Sequence, residues 1–256
     1  MRLPRLLLVC PLLLAAISLR LSAQTDEIQV YNAEIAEPGE FYLELHNNYT
    51  PDGRREPDFP GGVVPNHTLN GVPEWAYGVN DWLELGTYFA VYSVTDGAQH
   101  FQSESWKLRT LFVVPHAHER KFFYGINFEW SKNADRWEPT PYSGEIRPIL
   151  GTRFGSFDFI FNPILDTGFN GLRRLDFAPC ARLDYNLSPK WAVAIENYSD
   201  YGQIHRFDDP DNQQQAVWAV IDYNGKTSVE FGVGHGLDHA SDQWVVKLMI
   251  GFSLNR

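Results

Sequence analysis

The chain has 256 residues, with 32 acidic against 21 basic side chains and a formal charge of −11. That balance excludes a nucleic-acid binder, because phosphates would be repelled. The length is long for one soluble domain and ordinary for one barrel, and two cysteines, Cys10 and Cys180, exclude a disulfide-built scaffold.

Arg2 and Arg5 precede an apolar run from Leu6 to Ile17, too short to cross a bilayer as a helix. Leu21-Ser22-Ala23 then offers a cleavage site before Gln24, so residues 1–23 read as a signal peptide. A lipoprotein reading would use Cys10, but no small residue stands ahead of it in the apolar run. Cleavage after Ala23 removes Arg2, Arg5 and Arg20 and takes the charge from −11 to −14. Cys180 is then the one cysteine left, and reads as a small buried residue. Beyond the leader no apolar run reaches the roughly 18 residues of a membrane helix. The mean hydropathy of −0.31 suits a soluble protein, but equally a transmembrane barrel, whose strands show lipid only every second residue.

Residues 24–39 are polar and read as a periplasmic lead-in. The first strand is expected over 40–48, with Phe41, Leu43 and Leu45 opposite Tyr42, Glu44 and His46. A loop rich in Pro, Gly and Asp follows over 49–68. The clearest hairpin runs from Tyr77 to Val91 around Asn80-Asp81, with Leu83, Leu85, Thr87, Phe89 and Val91 alternating against Glu84, Gly86, Tyr88 and Ala90. It supplies the second and third strands. The fourth strand is expected over 104–114, the fifth over 121–132 and the sixth over 142–153. The seventh carries Phe157, Phe159 and Phe161 against Asp158, Asn162 and Asp166. The eighth carries Leu175, Phe177, Pro179, Ala181, Leu183 and Tyr185 against Asp176, Cys180, Arg182, Asp184 and Asn186. Four more follow, beginning at Trp191, Gln213, Val229 and Trp244, with Asn224-Gly225 as a second hairpin turn. About twelve strands of roughly 9–12 residues result, the length that a tilted membrane strand needs. Short turns alternate with longer polar loops, and both termini fall on the short-turn side.

Alternation alone leaves two readings open, a membrane barrel and a secreted β-sandwich or lipid-binding barrel. Three features favour lipid outside. Aromatic residues crowd the apolar face near strand ends (Trp82, Trp106, Trp130, Tyr185, Trp191, Tyr223, Trp244), where interfacial girdles sit. The loop asymmetry has no reason to exist in a sandwich. A single ring of twelve strands with an apolar interior would enclose a dry void. The expectation is an all-β fold, a single antiparallel up-and-down transmembrane β-barrel over residues 40–256, in the bacterial outer membrane. Its partners would be outer-membrane lipid, the periplasmic and outer-membrane assembly machinery, and a small-molecule solute, with no nucleic acid and no cofactor.

The hairpin segment from Tyr77 to Gly86 resembles the first periplasmic hairpin of the outer-membrane protein family named after the meta-pathway of phenol degradation. Glu145-Ile146-Arg147-Pro148, Asn162-Pro163-Ile164-Leu165-Asp166 and Asn186-Leu187-Ser188-Pro189-Lys190-Trp191 resemble further segments of such transporter-like barrels. The resemblance implies an outer-membrane barrel that passes small organic molecules. The chain departs from many such barrels at its end, where Phe252 is followed by Ser253-Leu254-Asn255-Arg256 rather than closing on an aromatic residue.

With lipid outside, the lumen would carry Glu44, Glu84, Lys107, Arg109, Glu129, Glu145, Arg147, Asp158, Asp166, Asp176, Arg182, Asp184, Glu196, Asp222, Glu230 and Lys247. Acids outnumber bases, which implies a water-filled path preferring neutral or cationic small solutes, aromatic or apolar ones among them. The alternative is a structural or adhesion barrel whose lumen is plugged by ion pairs. A third reading, an outer-membrane hydrolase, would use His235, Asp238, His239, Ser241 and Asp242, or a metal on His116 and His118. Those groups read first as exposed polar turns, so no catalytic or metal residue is assigned.

Overall fold

A side chain that alternates faces can satisfy lipid and water at once only if the strand's backbone finds partners on both edges. In this chain it does. A computed structural model describes residues 27–95 and 101–255, so the leader expected over residues 1–23 lies outside them. The strands are β1 (Phe41–Asp52), β2 (Leu69–Asn80), β3 (Leu83–Val94), β4 (Phe101–Val113), β5 (Phe122–Lys132), β6 (Tyr142–Phe154), β7 (Phe157–Asn162), β8 (Leu165–Thr167), β9 (Asp176–Phe177), β10 (Cys180–Asn186), β11 (Trp191–Asp200), β12 (Gln214–Asn224), β13 (Thr227–Gly236) and β14 (Trp244–Ser253). Every pairing is antiparallel, and each runs between chain neighbours except where β7 meets β10, β6 meets β8, and β1 meets β14. The last of these closes the ring, with Leu43 opposite Phe252 and Tyr49 opposite Val246. The wall therefore has twelve strands, and β8 and β9 are two short additions to it.

Those additions come from two of the expected strands, which are each broken once. The seventh stops at Asn162 and resumes at Leu165, and the eighth pauses between Phe177 and Cys180. Pro163 and Pro179 sit in the two gaps, and neither can donate to a ladder. The gaps face each other: Asn162 pairs with Cys180 below them, Leu165 pairs with Phe177 above, and one bond, Ala178 N to Ile164 O at 3.1 Å, joins them between.

The outward face is the apolar one. Phe128, Phe159, Leu183, Trp191, Ile195 and Phe231 are all exposed. Aromatic rings form a belt at each end. At the short-turn end Phe157 touches Tyr185 at 4.9 Å, and Trp191 touches Tyr223 at 4.9 Å. At the long-loop end Trp130 stands 5.0 Å from Trp106 and 5.5 Å from Tyr142. Exposed rings at two levels of one closed wall are a lipid-facing surface.

Two parts of the interior differ from expectation. Residues 27–36, expected as a periplasmic lead-in, enter the barrel. Val30, Tyr31 and Ala33 are buried against Leu111, Phe123, Ile149, Ile160 and Cys180 on the inner wall. One side of the lumen is thus apolar, because the entering segment brings apolar side chains that need cover. The loop after β5 also turns inward. Trp137 packs on Val72, Tyr88 and Val91, and its indole donates to Ser93 Oγ at 2.7 Å. The 49–68 loop folds over the same mouth, where Val63 N donates to Arg136 O at 2.9 Å.

Phe123 can lie inside the wall because the facing residue is glycine. A Cβ on Gly151 would fall 2.0 Å from its ring. Gly151→Ala should therefore cost about 1–3 kcal/mol by overpacking, read as a lower unfolding midpoint in detergent, and Phe123→Leu in the same chain should restore most of the loss.

Candidate solute path in the barrel lumen

The period-2 pattern places the expected charged residues on one inner surface, and the structure shows how they pair there. Arg182 is the main hub. Its Nε donates to Asp184 at 2.7 Å, its Nη1 to Glu196 and Glu230 at 2.7 Å each, and its Nη2 to Asp222. Lys247, fully buried, donates to Glu196 at 2.6 Å and lies 2.5 Å from Glu230. Arg109 pairs with Glu84 and with Glu74. Arg147 forks onto Glu145 at 2.6 and 2.9 Å. Asp158, nearer the short-turn end, meets Arg153 at 3.5 Å, and Lys107 lies over the Tyr88 ring at 5.4 Å.

Three of these groups also hold the entering segment. Arg147 donates to Gln29 O at 3.0 Å and Lys247 to Ile28 O at 3.2 Å, while the Glu84 carboxylate accepts from Ala36 N at 2.5 Å. Asn162 completes the grip with its amide, accepting from Tyr31 N at 2.8 Å and donating to Tyr31 O at 3.0 Å. The Tyr31 ring lies under the Arg147 guanidinium at 4.3 Å and near that of Arg109 at 5.5 Å. Its hydroxyl meets Tyr88 Oη at 2.6 Å. Buried charges held this way are each hydrogen-bonded, as their removal from water demands.

Sequence reasoning missed Glu27, Tyr31, Glu74 and Tyr88 as lumen groups of this network. Glu74 and Tyr88 fall on the inner parity of β2 and β3 and could have been found by counting. Glu27 and Tyr31 carry no periodic signal. Among the described residues, Glu44, His46 and Glu74 bring three possible ligand atoms within 4.8 Å of one another. His46 Nε2 already lies 3.0 Å from Glu74, whose other oxygen meets Arg109 at 2.5 Å, so the group is neutralised from within.

Between the entering segment and the wall lies a cavity of about 370 Å³, reaching the short-turn end at Asn186, Asn224 and Ser228. Nine carboxylates and three guanidiniums line it, the acids including Glu34, Glu40, Glu44, Asp184, Asp222 and Glu230. The field in this space favours positive charge.

Ser241, Asp238, His235 and Asp242 are held in local structure. Ser241 Oγ donates to Gln215 O at 3.0 Å and accepts from Gln215 N at 2.8 Å. Asp238 accepts from Ala240 N and Ser241 N, and His235 Nδ1 meets Gln243 O at 2.7 Å. Asp242 holds Arg54, at 3.1 Å from its Nε. His116 and His118 are exposed in their turn with rings 6.5 Å apart. Among the described residues no nucleophile–base pair forms from these side chains.

The sequence matches no family model and no characterised relative. The fold does have likenesses. An outer membrane channel of the COG4313 group from Pseudomonas putida F1 superposes with a TM-score of 0.58 at 11% identity, over 89% of this chain and 100% of that one. The KdgM porin superposes at 0.54 with 8% identity, over 84% and 99%. The NanC porin superposes at 0.53 with 7% identity, over 82% and 97%. At such identities the likeness is one of fold.

Two expectations follow from the network and the mouth. Arg182→Met would leave Asp184 and Asp222 without their cation and Glu196 and Glu230 with Lys247 alone, and should destabilise by about 3–5 kcal/mol, seen as loss of the heat-modifiable folded band on gels; Arg182→Lys should recover part of it. In the loop after β5, burial pushes the Glu138 carboxyl up to about 7 from an ordinary 4.5, against hydrogen bonds from Thr140 that lower it. A raised carboxyl means that the folded loop holds the extra proton. Its stabilisation is fully present below about 4.5 and lost as pH rises through about 7. Hydrogen-exchange protection of residues 134–140, corrected for intrinsic rate, should fall from about pH 4.5 to about 7 and level off above, and Glu138→Gln should flatten that dependence.

Proposed function

We propose that the protein is a channel of the bacterial outer membrane for small organic molecules, neutral or cationic. The observation that carries this reading is the acid-lined cavity inside a closed, lipid-faced wall. Its walls combine nine carboxylates with an apolar strip at Leu111, Phe123 and Ile160. That combination suits a solute with an apolar body better than a small anion. The folds it resembles belong to outer-membrane channels and porins, which supports the same reading. The segments around Tyr77–Gly86 and Asn162–Asp166 support placing the chain with the meta-pathway barrels. The leader at residues 1–23 supports export, after which the assembly machinery would insert the barrel. The lumen residues from Glu44 to Lys247 form the proposed path, with Glu84, Arg109, Arg147, Arg182 and Lys247 fixing its shape and the exposed Glu34 and half-buried Glu40 lining it.

A plugged, structural barrel is the competing reading, favoured by the segment 27–36 inside the lumen. Planar-bilayer recording separates the two. The channel reading expects single-channel currents with a reversal potential favouring cations in a KCl gradient. Glu34→Lys, outside the ion-pair network, should shift that potential toward anions. Wild-type protein that folds, inserts and passes no current would overturn the channel and leave the plug.

A further inference from the structure

The inner wall carries a row of acids set directly opposite one another toward the long-loop end. Glu129 on β5 faces Glu145 on β6, Glu145 faces Asp166 on β8, Asp166 faces Asp176 on β9, and Asp176 bridges to Gln203. Residues directly opposite in an antiparallel pair stand about 4.5–5.5 Å apart at Cβ, and like charges so placed repel. All four acids are buried.

Half of this row is compensated. Arg147 holds Glu145 at 2.6 Å, and Asn127 donates to Glu129 at 2.9 Å. The other half is not. Among the described residues no Lys or Arg forms an ion pair with Asp166 or Asp176; Arg147 acts on Asp166 only through its field, with its fork already spent on Glu145. Asp166 is 8% exposed, and its Oδ2 has no hydrogen-bond partner. The surroundings add charge of the same sign: Asp200 and Asp208 act on Asp176 from the segment after β11, and Asp176 acts on Glu138.

We propose that Asp166 and Asp176 bind a hard divalent cation of the calcium type at the long-loop mouth of the lumen. Buried carboxylates side by side need a proton or a cation between them. The two facing carboxylates offer oxygen alone, which favours a hard ion over zinc or copper. Calcium accepts six to eight oxygens at about 2.3–2.6 Å in irregular geometry, so carboxylates from two short strands, backbone carbonyls and water can share it. Bound there, the ion ties β8, β9 and the 201–213 segment together through Asp176. This inference stands apart from the channel reading, since a plugged barrel would need the same compensation.

The test uses the full barrel in detergent, stripped with EDTA and dialysed. Calorimetric titration with CaCl2 should show one saturable site per chain, with MgCl2 weaker. Asp166→Asn and Asp176→Asn, checked for folding by heat-modifiable gel mobility, should each weaken Ca2+ by at least about tenfold. Asp211→Asn, on an exposed turn, should not. Tb3+ luminescence excited through the protein's own tyrosines and tryptophans gives a wild-type readout that Ca2+ should displace. No saturable Ca2+ binding overturns the proposal, as does binding unchanged in both variants. Should neither variant fold, terbium emission that Ca2+ fails to displace overturns it instead.

Discussion

Hydrocarbon on one side of the wall decides almost everything on the other. A strand has only two faces, and the one bearing Phe128, Phe159, Leu183 and Trp191 is given to lipid. Every residue of opposite parity must then live inside, whatever its charge. Ring closure through β1 and β14 makes this tolerable for the backbone, because no edge is left unpaired. It does nothing for the side chains. Sixteen or more ionisable groups are thus brought into a space too narrow to hydrate each one freely, and the interior becomes a problem of charge compensation.

Cations are the scarce partner in that problem. Arg182 serves four carboxylates, Lys247 two and Arg109 two. Sharing of this kind works because a guanidinium presents five donors in a fixed fork. The same three-way use explains why the entering segment stays put. Its carbonyls at Ile28 and Gln29 satisfy donors that the carboxylates leave over, and Tyr31 presents its ring face to Arg147. The segment is therefore both a filler of volume and a set of acceptors.

Much of this was legible in the sequence, for a physical reason. A period of two survives any tertiary context, so Glu44, Glu84, Arg109, Arg147, Arg182 and Lys247 could be assigned to one face without knowing their partners. Twelve strands and the long-loop asymmetry followed from turn chemistry at Asn80-Asp81 and Asn224-Gly225. What failed was whatever lacked a period. Tyr31 enters the lumen from a polar, irregular segment, and Trp137 from a loop with no alternation at all. The breaks at Pro163 and Pro179 are a different kind of miss. Both prolines stand in plain sight inside expected strands, and a proline cannot sit in a ladder without interrupting it. Partnership was also invisible: nothing in the spacing tells that Arg182 reaches β11, β12 and β13, because that depends on which strands the closed ring places within its arm's length.

The two ends of the lumen resolve the acid surplus differently, and the breaks are where they part. Below Pro163 and Pro179 the ladders are continuous, and long basic side chains span two or three strands to meet their acids. Above the breaks β8 and β9 are three and two residues long, and none of those five residues is basic. The ladder there is too short to carry a second inward position that could bring an Arg or Lys beside Asp166 or Asp176. Lengthening the strands would supply it, but the prolines prevent that by removing the donors a longer ladder needs. Arg147 reaches up to Glu145, and the compensation it leaves lacking at Asp166 and Asp176 must come from a proton or from solution. The same backbone interruption that opens the strands thus also determines why charge is balanced wholly from within at one end of this barrel and only in part at the other.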